Sequence, residues 1–111
     1  MPEITKGECI VKIPDKVVIS GMEYTVKLED KALFCGSQRA YAQIDFEKKE
    51  IAIDQSMQEA QGQQQSLWHE IIHGIVYDRE LDFEKQKEET IVDQLAKGLY
   101  QVIRENPRLF E

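Results

Sequence analysis

His69-Glu70-Ile71-Ile72-His73 has the H-E-x-x-H spacing, and it contains the only two histidines in the chain. Residues four apart on a helix lie one above the other, so both imidazoles leave the same face and can bind one tetrahedral zinc ion. Glu70 stands about 100° around the helix from His69, which puts its carboxylate beside such a metal rather than on it. From there it can take a proton from water whose acidity the metal raises. The chemistry expected of this pattern is metal-assisted hydrolysis with Glu70 as the catalytic base.

A catalytic zinc takes a third protein ligand and leaves its fourth position open. With no third histidine, that ligand must be a carboxylate or a thiolate. Glu89 and Asp93 are four apart and share a helix face with Val92, Ala96 and Tyr100, whereas Glu88 shares a different face with Ile91, Val92 and Leu95. Glu89 is preferred, because Asp93, one turn further on, can then accept a hydrogen bond from the non-coordinating nitrogen of a ligand histidine. Such a contact orients the ring and raises its basicity. Glu88 stands as the alternative ligand, and taken alone the three acids also read as a solvated helix start. Manganese or iron suits the same donors. Tyr41, Tyr77 and Tyr100 are the candidates for stabilising an oxyanion, with nothing to choose between them.

These residues need two helices to hold them. After Asp54 the apolar period changes from two to about 3.6. Ser56-Met57-Gln58-Glu59 is a capping-box pattern that predicts a helix start. Met57, Ala60, Gln64, Leu67, Ile71 and Ile75, widened by Trp68, Ile72 and Val76, carry that helix to about Tyr77, with Gly62 a point at which it can split. Ile71 and Ile72 are expected to face the core. A second helix is predicted from about Glu84 through Ile91, Val92, Leu95, Ala96, Leu99, Val102 and Ile103 to Asn106-Pro107. Ahead of both, Ile10-Val11-Lys12-Ile13, Val17-Val18-Ile19 and Tyr24-Thr25-Val26-Lys27-Leu28 read as strands of an antiparallel meander. Tyr41 to Phe46 and Ile51 to Asp54 read as a hairpin joined by the four residues Glu47-Lys48-Lys49-Glu50, and Leu33 to Ser37 reads as a loop. The fold class expected is α+β: strands first, then two long helices.

The pairing of His69-Glu70-Ile71-Ile72-His73 with Glu89-Thr90-Ile91-Val92-Asp93-Gln94-Leu95-Ala96 resembles the gluzincin arrangement, an H-E-x-x-H helix followed by an E-x-x-x-D helix. It is similar to the small ImmA/IrrE-type metallopeptidases of bacteria and their phages. In those, the second-helix Glu is followed at three, four, six and seven positions by Ala, Asn or Asp, an apolar residue and Ala. Val92, Asp93, Leu95 and Ala96 stand at those places, with Val for the usual Ala. With the hairpin, the resemblance covers roughly residues 41–104. It implies a minimal zincin domain, zinc held by His69, His73 and Glu89, Glu70 as general base, and hydrolysis of a peptide bond. The implied partner is a peptide or protein, and in some members of the family a transcriptional repressor.

Composition narrows the remaining classes. The 111 residues suit one domain, 1–111, and the 41% apolar and 32% charged fractions are those of an ordinary globular chain. Twenty-one acidic against fourteen basic residues give a net charge of −7, which argues against nucleic acid. No apolar run approaches the roughly 20 residues that span a bilayer. The N-terminal residues lack a basic start and an apolar stretch, so a cytoplasmic location is expected. Cys9 and Cys35 match no C-x-x-C spacing and read as buried free thiols. Two further readings fit the same residues: a regulatory or binding protein that keeps zinc without turnover, and an interaction domain that binds no metal.

Overall fold

The computed structural model describes residues 13–110 apart from Met57. The strand expected over Ile10-Val11-Lys12, the Cys9 thiol, the place of Met57 in the helical stripe and the burial of Cys35 lie outside what is described. The order is β1 (Lys16–Ile19), β2 (Met22–Glu29), β3 (Leu33–Cys35), β4 (Gln38–Ala40), β5 (Ala42–Asp45), β6 (Glu50–Asp54), α1 (Ala60–Asp78), α2 (Lys85–Glu105) and a 3-10 turn, Pro107–Phe110. The fold is therefore α+β, with its strands ahead of its two helices.

Of the meander expected, β1 and β2 form an antiparallel pair, and the hairpin β5–β6 joins them through a parallel pairing. The sheet order is β1-β2-β6-β5, antiparallel except that β2 pairs parallel with β6 from Thr25↔Glu50 to Glu29↔Asp54. In its inner position β6 carries Ile51 and Ile53, both 0% exposed, on the face that meets Leu67 and Ile71 of α1. The residues read as a loop form a second ladder. β3 and β4 pair antiparallel around Gly36-Ser37, and Gly36 has φ 65°, a conformation that glycine adopts without cost. In the β5–β6 hairpin the connection runs one residue earlier than expected, over 46–49, and the Asp45 carboxylate accepts from the Glu47 and Lys48 backbone N–H groups.

The capping box does not form. Glu59 is the N-cap of α1 and makes no side-chain cap bond. Ser56 is engaged elsewhere, donating through its backbone N–H and its hydroxyl to Asp54 Oδ1. Asp54 is fully buried at the end of β6 and also accepts from Arg39 Nη2 at 2.8 Å, so it ties the β3–β4 ladder to the link that leads into α1. These donors, Arg39 first and then Ser56, hold its carboxyl below the ordinary value. Gly62 does not interrupt α1.

Helix α1 lies between two apolar surfaces. One face packs Leu67 and Ile71 against Ile19, Tyr24, Val26, Ile51 and Ile53 of the sheet. The next packs Trp68, Ile72 and Val76 against Phe83, Val92 and Ala96 on the α2 side. Gly74 lets α1 lie close to the sheet, because a Cβ there would stand 2.8 Å from Ile19 Cδ1 and 3.4 Å from Ile44 Cδ1. Part of the predicted helical stripe is not buried: Ile75, Leu95, Leu99 and Val102 are all 39% exposed or more, since each helix faces only the neighbours it has. Truncating the sheet core under α1 tests this packing. Ile53→Ala is expected to lower unfolding free energy by about 2–5 kcal/mol, read from urea denaturation.

Candidate metal centre

On α1 the sheet-facing positions Leu67, Ile71 and Gly74 and the α2-facing positions Trp68, Ile72 and Val76 leave one polar strip. His69 and His73 occupy it, four residues apart, and Glu70 falls between that strip and the sheet-facing row. A link of six residues, 79–84, turns the chain so that α2 runs antiparallel to α1. The later histidine therefore meets the earlier carboxylates of α2, and the earlier histidine meets the later ones.

The two Nε2 atoms are 3.2 Å apart. Glu89 reaches both rings, with Oε1 2.8 Å from His73 Nε2 and Oε2 3.5 Å from His69 Nε2. Metal–nitrogen bonds of about 2.0–2.1 Å in a tetrahedron separate donor atoms by about 3.3 Å. The two nitrogens, 3.2 Å apart, are near that value; the Glu89 contacts of 2.8 and 3.5 Å are made by its two different oxygens, and one donor atom from each residue lies within 4.8 Å of the others. His69, His73 and Glu89 thus form a group close enough to hold one metal ion, and all three offer donors that zinc accepts.

Glu88 and Asp93 stand on the other nitrogens. Glu88 Oε2 lies 2.8 Å from His73 Nδ1. Both ring nitrogens of His73 thus face a carboxylate oxygen at 2.8 Å, and with Nδ1 donating to Glu88 the Nε2 lone pair is the one left for a cation shared with Glu89. Glu88 is therefore beside the centre rather than among its three donors, a role that the sequence reading did not give it. The signal was available: in an antiparallel pair His73 must meet the first acids of α2. Asp93 Oδ1 is 3.7 Å from His69 Nδ1, on the expected side and within ion-pair reach, but too far for a hydrogen bond. The candidate tyrosines separate. Tyr77 lines a cleft together with His73 and stacks on Phe46 with centroids 3.9 Å apart. Tyr100 lies at the far end of α2 with its hydroxyl buried and unpaired, and Tyr41 is exposed beside β5.

Burial pushes the His69 imidazole below its ordinary value, and His73 adds to this while Glu89 and Asp93 oppose it. The neutral ring is the form that offers a lone pair to a cation. Glu70 is 7% exposed, and its carboxyl is pushed up to about 7, first by loss of water and then by Glu89, against the pull of His73.

Scanned against family models, curated proteins and solved structures, the chain matches none. The reading of the centre rests on its own geometry.

The raised Glu70 value fixes the sign of a pH effect in metal-free protein. The folded value lies above the unfolded one, so the neutral carboxyl is favoured by folding. That contribution is intact below pH 4.5, declines as pH rises and is gone above pH 7. The shift is worth on the order of 3 kcal/mol. Metal-free Glu70→Gln should be more stable than wild type at about pH 8 and indistinguishable from it near pH 4. Urea midpoints at the two pH values decide, and an equal gain at both rules out titration of Glu70 as the cause.

Proposed function

We propose that the chain is a metallopeptidase of minimal zincin type, of the ImmA/IrrE kind that its H-E-x-x-H and E-x-x-x-D helices resemble. The observation that carries this reading is the convergence of His69, His73 and Glu89, one donor atom from each within 4.8 Å of the others, with a buried carboxylate one residue from the first of them. A zinc ion held by those three residues supplies a Lewis acid that polarises the scissile carbonyl and lowers the pKa of water.

The chain's own groups do the rest. Glu70 accepts the proton of the attacking water and returns it to the leaving amine. Burial favours the protonated form of Glu70 and a bound ion would favour the ionised form, opposed pulls that suit a group which takes a proton and gives it back. Glu88 keeps His73 in the tautomer that presents Nε2. Asp93 biases His69 the same way through its charge. The edge strand β5 offers unpaired backbone groups to an extended peptide, which positions the bond to be cut without reading its sequence.

Two variants test this reading. Glu70→Gln is expected to keep one zinc per chain by elemental analysis and to cleave peptides roughly 10²–10⁴-fold more slowly than wild type. His73→Ala should lose the metal and melt at a lower temperature, a change that chelation reproduces in wild type. Full activity in Glu70→Gln removes it as the base, and absence of zinc from wild type supplied with the metal ends the proposal.

A further inference from the structure

A cleft of about 480 Å³ opens beside the metal centre, and His73 forms part of its wall. Its remaining lining is of two kinds. Phe46 and Tyr77 lie parallel, 5° apart in plane, and with Leu81 they give it an apolar side. Glu80, Asp82 and Glu88 give it three carboxylates, and among the described residues no lysine or arginine lines it. An apolar stem with a positive head matches both sides at once, because alkyl carbons and guanidinium planes pack on aromatic faces while the charge meets the acids.

Glu80 is placed on the cleft by the way α1 ends. Helix α1 ends in a Schellman-type turn, with Leu81 N donating to Val76 O at 3.0 Å and Glu80 N to Tyr77 O at 3.2 Å. In that turn Glu80 holds φ 53°, the left-handed position that glycine occupies without strain. A glutamate there works against the turn and places a carboxylate on the cleft.

We propose that this cleft is a specificity pocket for an arginine or lysine side chain of the peptide whose bond lies at the metal centre. The proposal rests on the peptidase reading, and the test separates the two. Zinc-loaded Glu70→Gln protein is titrated calorimetrically with acetyl-Ala-Ala-Arg-Ala-Ala-amide and with the same peptide carrying citrulline, which keeps the shape of arginine and removes its charge. The arginine peptide is expected to bind roughly tenfold more tightly, the combined effect of several partly exposed charge pairs. Adding Glu80→Gly and Asp82→Asn should collapse that ratio to near one. Glycine suits the left-handed position, so the melting temperature should hold or rise, and the lost preference is then not unfolding. Equal binding of the two peptides, including no binding of either, overturns the pocket, as does a preference that survives in the Glu80→Gly/Asp82→Asn background. Cleavage is read separately with Glu70 intact. Cleavage of both peptides alike leaves the peptidase and sinks the pocket, whereas selective binding without cleavage does the reverse.

Discussion

Helix α1 must bury two faces at once, one on the sheet and one on α2, and the candidate site follows from that constraint. A helix has about 360° to divide, and two apolar contacts of the usual width leave a single narrow polar strip. His69 and His73 fill it. Glu70, one step toward the sheet, is buried because its neighbours on that side are, and its raised pKa is a consequence of position rather than of a special partner. The reactivity assigned to Glu70 thus comes from the packing of Leu67, Ile71 and Gly74 on the sheet.

The sheet fixes where α1 starts as well as where it lies. Asp54 ends the buried central strand and gathers Arg39 from β4 and Ser56 from the link. Gln58 adds two bonds, to Asp54 O at 2.7 Å and Tyr41 O at 3.1 Å. The link is therefore held by polar contacts to Asp54 and Tyr41, and the N-cap of α1 makes no side-chain cap bond.

What was legible in the sequence was local or periodic. The two helices, their ends to within a few residues, the H-E-x-x-H face and the hairpin before it all follow from spacing that neighbouring residues impose. The parallel pairing of β2 with β6 was not legible, because it joins segments some 25 residues apart and no local pattern of residues marks it. The β3–β4 ladder was legible and passed over: Gly36-Ser37 between Cys35 and Gln38 is a two-residue hairpin signal. The capping box failed because Ser56 had a better acceptor in a buried carboxylate, a competition that only the folded chain shows. Glu88 was weighed as a ligand and found at His73 Nδ1, since sequence fixes which acids are near a helix start but not which oxygen meets which nitrogen.

Charge explains why such a site should want a cation. Glu70, Glu88, Glu89 and Asp93 surround two imidazoles, one of them held neutral by burial. The N-terminal half of α2 offsets part of this excess, because the helix dipole favours anions there. It does little for Glu70, which is carried by α1 and shielded from water. A divalent ion at the three donors would favour ionised Glu70 and so draw its pKa back down. Metal binding and loss of the Glu70 proton are then linked, and each promotes the other. Metal affinity should therefore climb with pH through the range in which Glu70 titrates, even though neither oxygen of Glu70 touches the ion.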